Sequence, residues 1–284
     1  MPDFTLKRIT EHVYWLPPDS RTDRPALAAV AGQGGTLMLD AGASSAHADL
    51  FLTELQRLGL AAPRLVGLTH WHWDHIFGAE RVGAPQIAHR LTAMEIRTQA
   101  RYDWSDAALD QRVADGLEID FCSTMLKAEM PDPALRHIRL PEIVYEGALT
   151  IELGDVSCRI EHIGGDHAVD SSVMIVPEDK VVFLSDCVYL CLYADPPYYT
   201  TAKLYPLLDR LLAFDAEYYI EGHNEKVMSR VEFEEYAGFL RTIGDTVARM
   251  EGDHAASLAA LLAALPDEEE AGLSEYVDAF IAGR

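Results

Sequence analysis

No apolar run in this 284-residue sequence approaches the ~20 residues needed to cross a bilayer. The opening Met1-Pro2-Asp3-Phe4-Thr5-Leu6-Lys7 also lacks a basic stretch followed by an apolar one. Neither a spanning helix nor an export signal is expected, and the reading is a cytoplasmic protein. Cysteine is scarce: Cys122, Cys158, Cys187 and Cys191 are scattered without a Cys-x-x-Cys pair. That argues against a disulfide framework or a thiolate zinc knuckle and for reduced, mostly buried thiols. Basic residues are few, 23 Lys and Arg against 46 Asp and Glu, for a formal charge of -23. Phosphate backbones and anionic membrane surfaces attract clustered Lys and Arg. No such cluster occurs, so nucleic acid and membrane are set aside as partners, and a nuclease activity with them. The acidic surface itself reads as a solubility feature. Internal repeats are also missing.

What is present is apolar content, 49% of residues, enough for a substantial core, and residues 1–284 are read as a single domain. Short β-type runs at 4–9, 12–16, 26–31 and 36–39 are broken by Pro17-Pro18-Asp19 and Gly32-Gln33-Gly34-Gly35. Residues 44–60 have helix-forming composition, with Leu50, Leu55 and Leu58 on an expected buried face and Gly59 near the end. A short strand, Leu65-Val66-Gly67-Leu68, leads into Thr69-His70-Trp71-His72-Trp73-Asp74-His75. Residues 91–140 read as a helical, aromatic-rich insertion that can act as a lid. The β pattern returns at 149–153, 157–163, 172–176, 180–184 and 218–220, and residues 231–284 read as C-terminal helices.

His70-x-His72-x-Asp74-His75 places four potential metal ligands within six residues. Imidazole and carboxylate suit zinc, iron or manganese. Without cations, so many polar groups behind an apolar strand would be desolvated and mutually repulsive. Further along, His167, Asp186 and His223 each have an ordinary reading alone: a turn residue after Gly164-Gly165-Asp166, a strand terminator, and a polar residue beside Gly222. The other histidines, His12, His47, His89, His137, His162 and His254, lack a ligand-spaced partner, His162 lying nearest to the site in sequence.

Together these residues resemble the metallo-β-lactamase superfamily. Asp40-Ala41-Gly42 is similar to its early Asp-x-Gly, His70 to His75 to its main loop, Gly164-Gly165-Asp166-His167 to its third motif, Ser185-Asp186 to its bridging-Asp motif and Glu221-Gly222-His223 to its last. The resemblance spans roughly residues 12–225 with the motifs in family order. It implies an α/β fold, an αββα sandwich with metals at one edge between the sheets. It also implies two divalent metal ions: one on His70, His72 and His167, the other on Asp74, His75 and His223, with Asp186 bridging. Asp40 is expected to bond the backbone of the metal loop and bind no metal.

The expected chemistry is hydrolysis of a carbonyl ester, thioester or lactone of a small molecule by a metal-bridging hydroxide, with Asp74 helping to move the proton. Zinc is the first expectation, with iron or manganese as alternatives. Tyr189, three positions past Asp186, resembles a Tyr that lactone-hydrolysing members place there, and it is equally readable as cleft-wall packing. Cys187 reads as a small buried residue. Two departures bear on substrate: 92 positions separate His75 from His167, and the third motif reads Gly-Gly-Asp-His where Pro-Gly-His is commoner. Neither glyoxalase II nor a β-lactamase is closely matched; the region after His223 offers only Lys226 and Arg230 for an anionic substrate. Competing readings are a mononuclear iron persulfide dioxygenase and a non-catalytic metal-binding protein. A flavin-linked di-iron reductase is disfavoured, because that group has Glu where this chain has His72. The expected partner is a small-molecule substrate, with a homo-oligomer left open.

Overall fold

The architecture, described for residues 4–284 in a computed structural model, begins with an antiparallel meander. Strands β1 (Lys7–Arg8), β2 (Val13–Leu16), β3 (Leu27–Gly32) and β4 (Gly35–Leu39) pair in order. Helix α1 (Ser45–Arg57) follows, started by the Ser44 side chain, which accepts the His47 amide. The burial pattern corrects one expectation. Phe51, Leu55 and Ala48 face the core, whereas Leu58 is the helix cap and 37% exposed, because Gly59 turns left-handed (φ 72°) immediately after it.

Strand β5 (Pro63–Gly67) returns parallel to β4, and the short helices α2 (Trp73–Ile76) and α3 (Ala79–Val82) follow it. Strand β6 (Gln86–His89) joins parallel to β5. Residues 91–140 hold most of α4 (Arg90–Gln99), all of α5 (Asp106–Ala114) and α6 (Asp120–Glu129), and a 3-10 turn at Pro133–Leu135. Strand β7 (Ile143–Tyr145) closes the seven-stranded sheet in chain order.

The second sheet is built from β8 (Ala148–Glu152), β9 (Ser157–His162), β10 (Ser172–Val176), β11 (Val181–Ser185), β12 (Tyr218–Glu221) and β13 (Met228–Ser229), ordered β13-β12-β11-β10-β9-β8. All pairs are antiparallel except β11 with β12, whose crossover carries α7 (Thr201–Leu212). This helix was not expected from sequence: Pro206 lies within it, yet Leu204, Leu207, Leu208 and Leu211 repeat at helical spacing and are buried. The chain ends in α8 (Arg230–Arg249), opened by a Ser229/Glu232 capping box, α9 (His254–Ala264) and α10 (Glu270–Ala282).

Three apolar clusters define the layers. One lies between the sheets, with Val13, Leu37, Ile160, Met174 and Phe183 among its members. A second packs α1 and the 91–140 helices on the outer face of the first sheet through Phe51, Phe77, Ile96 and Leu126. The third packs α7 to α10 on the second sheet through Leu208, Phe233, Leu240 and Phe280. The order helix, sheet, sheet, helix is the expected αββα sandwich, and it follows from each sheet having two apolar faces to bury. Among the described residues no helix is long and apolar enough to cross a membrane.

Candidate metal centre

The parallel pairs β4/β5 and β11/β12 end at the same rim of the two sheets, and every motif follows one of these strand ends or the β9–β10 turn. Asp40 follows β4, His70 and His72 follow β5, α2 presents Asp74 and His75, Asp186 follows β11 and His223 follows β12. The rim is held by unusual backbone. Asp40 (φ 59°) and Ser185 (φ 49°) are left-handed, conformations that Asp tolerates better than most residues. Gly222 has no room for a side chain, since a Cβ there would overlap Asp186 Oδ1.

Two donor groups result. His70, His72, His167 and Asp186 form one; Asp74, His75, Asp186 and His223 form the other; within each, the potential ligand atoms lie within 4.8 Å of one another. Asp186 belongs to both: its Oδ2 stands 3.8 Å from His70 Nε2, 3.5 Å from His167 Nε2, 3.2 Å from His75 Nε2 and 3.4 Å from His223 Nε2. Asp74 Oδ2 lies 3.0 Å from His75 Nε2 and 3.2 Å from His223 Nε2.

Tautomers follow from what lies behind the rings. His167 Nδ1 donates to Leu190 O at 3.2 Å, His75 Nδ1 faces Asp40 Oδ2 at 2.8 Å and His70 Nδ1 faces Thr69 Oγ1 at 3.1 Å. With Nδ1 protonated, the Nε2 lone pairs point inward. Four inward atoms, Nε2 of His70, His72 and His167 and Oδ1 of Asp186, are buried with no hydrogen-bond partner. A buried acceptor left empty costs about 1–3 kcal/mol, so four together fit a bound cation better than any packing role. Burial pushes His70, His72 and His167 down, keeping them neutral. At His75 and His223 burial acts the same way but is outweighed by Asp74 and Asp186, so both are pushed up. Burial raises Asp74 and Asp186, and the same imidazoles outweigh it and hold both carboxyls low. In the second group the carboxylates and imidazoles thus stabilise one another's charged forms.

Asp40 bonds the metal loop as expected: it accepts the Thr69 amide at 2.8 Å, and Thr69 and Ser185 hydroxyls also donate to it. The Asp in Gly-Gly-Asp-His has a structural task. Asp166 accepts from Thr200 N (2.6 Å) and Oγ1 (2.9 Å), tying the His167 turn to the start of α7. Tyr189 Oη accepts the His223 amide at 3.2 Å and lines the same cavity as the donor atoms. Cys187 is buried and its thiol is pushed up by burial. Cys122 and Cys158 are buried as well, Cys191 is half-buried, and all four are free.

Four participants were not singled out in the sequence. Asp23 Oδ1 stands 3.4 Å from His223 Nδ1, and burial together with Asp74 pushes its carboxyl up to about 7. Phe121 and Cys122 bring α6 over the cavity, so part of the 91–140 segment lines the site. Tyr193 packs its ring 5.2 Å from both His72 and Trp71. A lone Asp in a loop gives no signal, and neither does a single tyrosine outside any motif. His162 is apart from the site: it stacks on His89 at 3.9 Å and contacts Val169 O.

The family model of the metallo-beta-lactamase superfamily matches residues 22–270. The chain belongs to this superfamily. Solved members share its fold at low identity. A metallo-beta-lactamase from Pontibacter korlensis is 19% identical, with TM-score 0.57 over 84% of this chain and 99% of that one. A metallo-beta-lactamase family protein from Thermus thermophilus is 17% identical, with TM-score 0.61 over 97% and 92%. The sec-alkyl sulfatase PisA1, as a double mutant, is 15% identical, with TM-score 0.62 over 87% of this chain and 43% of that one. No curated protein is significantly similar in sequence. For this metallo-β-lactamase superfamily chain the neighbours establish the fold, and the reaction has to be argued from the site.

Proposed function

We propose that this protein is a dinuclear metal-dependent hydrolase that cleaves a carbonyl ester, thioester or lactone of a small molecule. The observation that carries the reading is the pair of complete donor groups sharing Asp186. His70, His72 and His167 would hold one ion, Asp74, His75 and His223 the other, and Asp186 both. Bound there, divalent ions would acidify a water and polarise a carbonyl oxygen. The chain supplies the rest. Asp74, whose Oδ2 lies 3.0 Å from His75 Nε2 and 3.2 Å from His223 Nε2, is the carboxylate placed to help move the proton. Tyr189, whose oxygen already accepts the His223 amide, has its own proton available for a substrate oxygen in the cavity. That cavity, about 210 Å³ with Phe121, Leu192 and Tyr193 as its apolar and aromatic wall, suits a small acyl group and excludes bulk water.

The mixed imidazole and carboxylate donors favour zinc, with iron or manganese acceptable. The test is metal analysis of protein purified without added metal, coupled to a panel of lactones, thioesters and esters. Two metals per chain with turnover of the panel is expected. One iron per chain with oxygen consumption on a persulfide would overturn the reading in favour of a dioxygenase, and no turnover by metal-replete protein would overturn it in favour of a binding protein. Asp186→Ala should lower occupancy of the second ion and activity together. Unchanged occupancy would remove Asp186 from the bridging role.

A further inference from the structure

A second, smaller cavity lies behind Tyr193, between α4, the Tyr102–Trp104 turn, α5 and the metal loop. Its volume is about 90 Å³, the share of about three liquid waters. Arg112, on α5, lines it. The guanidinium rests on the rings of Trp104 and Tyr102, 4.8 and 5.2 Å from their centroids, and Nη1 donates to Asp103 O at 2.8 Å. The other edge of the fork is empty: Nε and Nη2 are both buried and neither has a hydrogen-bond partner.

In four other arginines this same edge is filled. Nε and Nη2 of Arg21 bond Asp19, those of Arg57 bond Glu54 and those of Arg139 bond Glu142. In Arg136 the edge holds Met130 O. The two carboxylates lining the Arg112 cavity do not take this place. Glu118 Oε1 accepts from Tyr193 Oη and the Ile119 amide, each at 3.0 Å, and Glu95 makes no ion pair with Arg112 among the described residues. Gln99, buried in the same wall, also has an unpartnered side-chain oxygen. Buried unpaired donors are expensive, and two parallel N–H groups match the two oxygens of a carboxylate. Tyr193 is common to this cavity and to the one over the metal donors.

We infer that Arg112 is a substrate-binding residue whose Nε and Nη2 receive a carboxylate remote from the scissile carbonyl, so that the substrate class is an acyl ester, thioester or lactone carrying a free carboxylate. The inference rests on the hydrolase reading for the word substrate and on Arg112 alone for the carboxylate. Its first test is binding to the full-length protein as purified, with propionate as probe and propionamide as the neutral control at constant ionic strength. Trp71, Trp73 and Trp104 line the cavity, so tryptophan fluorescence reports occupancy. Propionate should give a saturable change that propionamide does not. Arg112→Gln should weaken it at least tenfold, and Arg112→Lys, which keeps the charge over the rings but loses the fork, should also weaken it. Propionate binding that survives in both variants would belong to the metals and overturn the subsite, as would equal binding of propionamide.

The second test compares kcat/KM for a carboxylated substrate with that for its carboxamide counterpart. The wild-type preference should fall at least tenfold in Arg112→Gln, mostly through KM; an unchanged preference overturns the proposal. Arg112-dependent propionate binding without turnover of any panel member would sink the hydrolase reading and leave the subsite. Turnover with Arg112-independent binding would do the reverse.

Discussion

Asp40→Asn should distinguish the two donor groups without replacing a member of either. Asp40 is fully buried and accepts the Thr69 amide through Oδ1 and the His75 ring through Oδ2, each at 2.8 Å, with Thr69 and Ser185 hydroxyls filling in. Asparagine tolerates the left-handed backbone (φ 59°) and keeps one oxygen for Thr69. Its amide group then faces His75 Nδ1. A donor there moves the imidazole proton to Nε2, the atom 3.0 Å from Asp74 and 3.2 Å from Asp186, so the lone pair a metal needs is lost. Loss of such a partner typically weakens metal affinity 10–100-fold, about 1.4–2.7 kcal/mol, and here the loss should fall on the second group alone. Asp40→Ala should be worse for folding. The two hydroxyls can pair with each other at 3.0 Å, but the Thr69 amide and His75 Nδ1 are orphaned at about 1–3 kcal/mol each, and Ala at this φ adds about 1–2 kcal/mol. Metal titration against a chromophoric chelator should show one tight site and one weakened site in Asp40→Asn, and thermal melts should rank it above Asp40→Ala. Two sites of wild-type affinity, or equal destabilisation by the two substitutions, would refute the tautomer reasoning.

Tyr189→Phe removes the hydroxyl that bonds the His223 amide; kcat should fall about 10- to 100-fold on the pattern of lost proton-transfer groups, with metal content preserved, and an unchanged kcat would make Tyr189 a wall residue. Gly222→Ala drives a methyl into Asp186 Oδ1, so both metal content and activity should drop in elemental analysis and turnover assays. His12 is pushed up: burial opposes its charge, but the hydrogen bond and attraction of Asp179 at 2.8 Å outweigh it. The stabilisation it gives is present in full below the ordinary His pKa of about 6.5 and is lost as pH rises through the higher folded value. The melting-temperature gap between the wild type and His12→Gln should therefore be larger at pH 5.5 than at pH 9, and a gap that widens with pH would contradict this sign.

The metal loop was legible because its chemistry is local. His70, His72, Asp74 and His75 lie within one strand exit, and no packing arrangement would bury them together unpaired. His167, Asp186 and His223 were legible only as an ordered set. Helix α7 was obscured by Pro206, although its leucine spacing was there to read, and Leu58 was misplaced because the helix ends one residue before it. Thr69 and Ser185 stood inside motifs without a readable role, and Asp23 and Tyr193 carried no signal. Each acts through a partner between 29 and about 200 positions away or through a ring contact, and side-chain periodicity carries no record of such separations.

The sequence by itself therefore determined which donors exist, their chemical hardness, the layer pattern that buries two sheets, and the family. The resemblance already implied the sharing of Asp186; tertiary structure alone decided the distances around it, the tautomers of the imidazoles and the unpartnered fork of Arg112. Those depend on which strand ends meet at one rim and which atoms lie behind each ring, and both are set by the parallel pairing of β4 with β5 and β11 with β12 and by the helices laid over that rim.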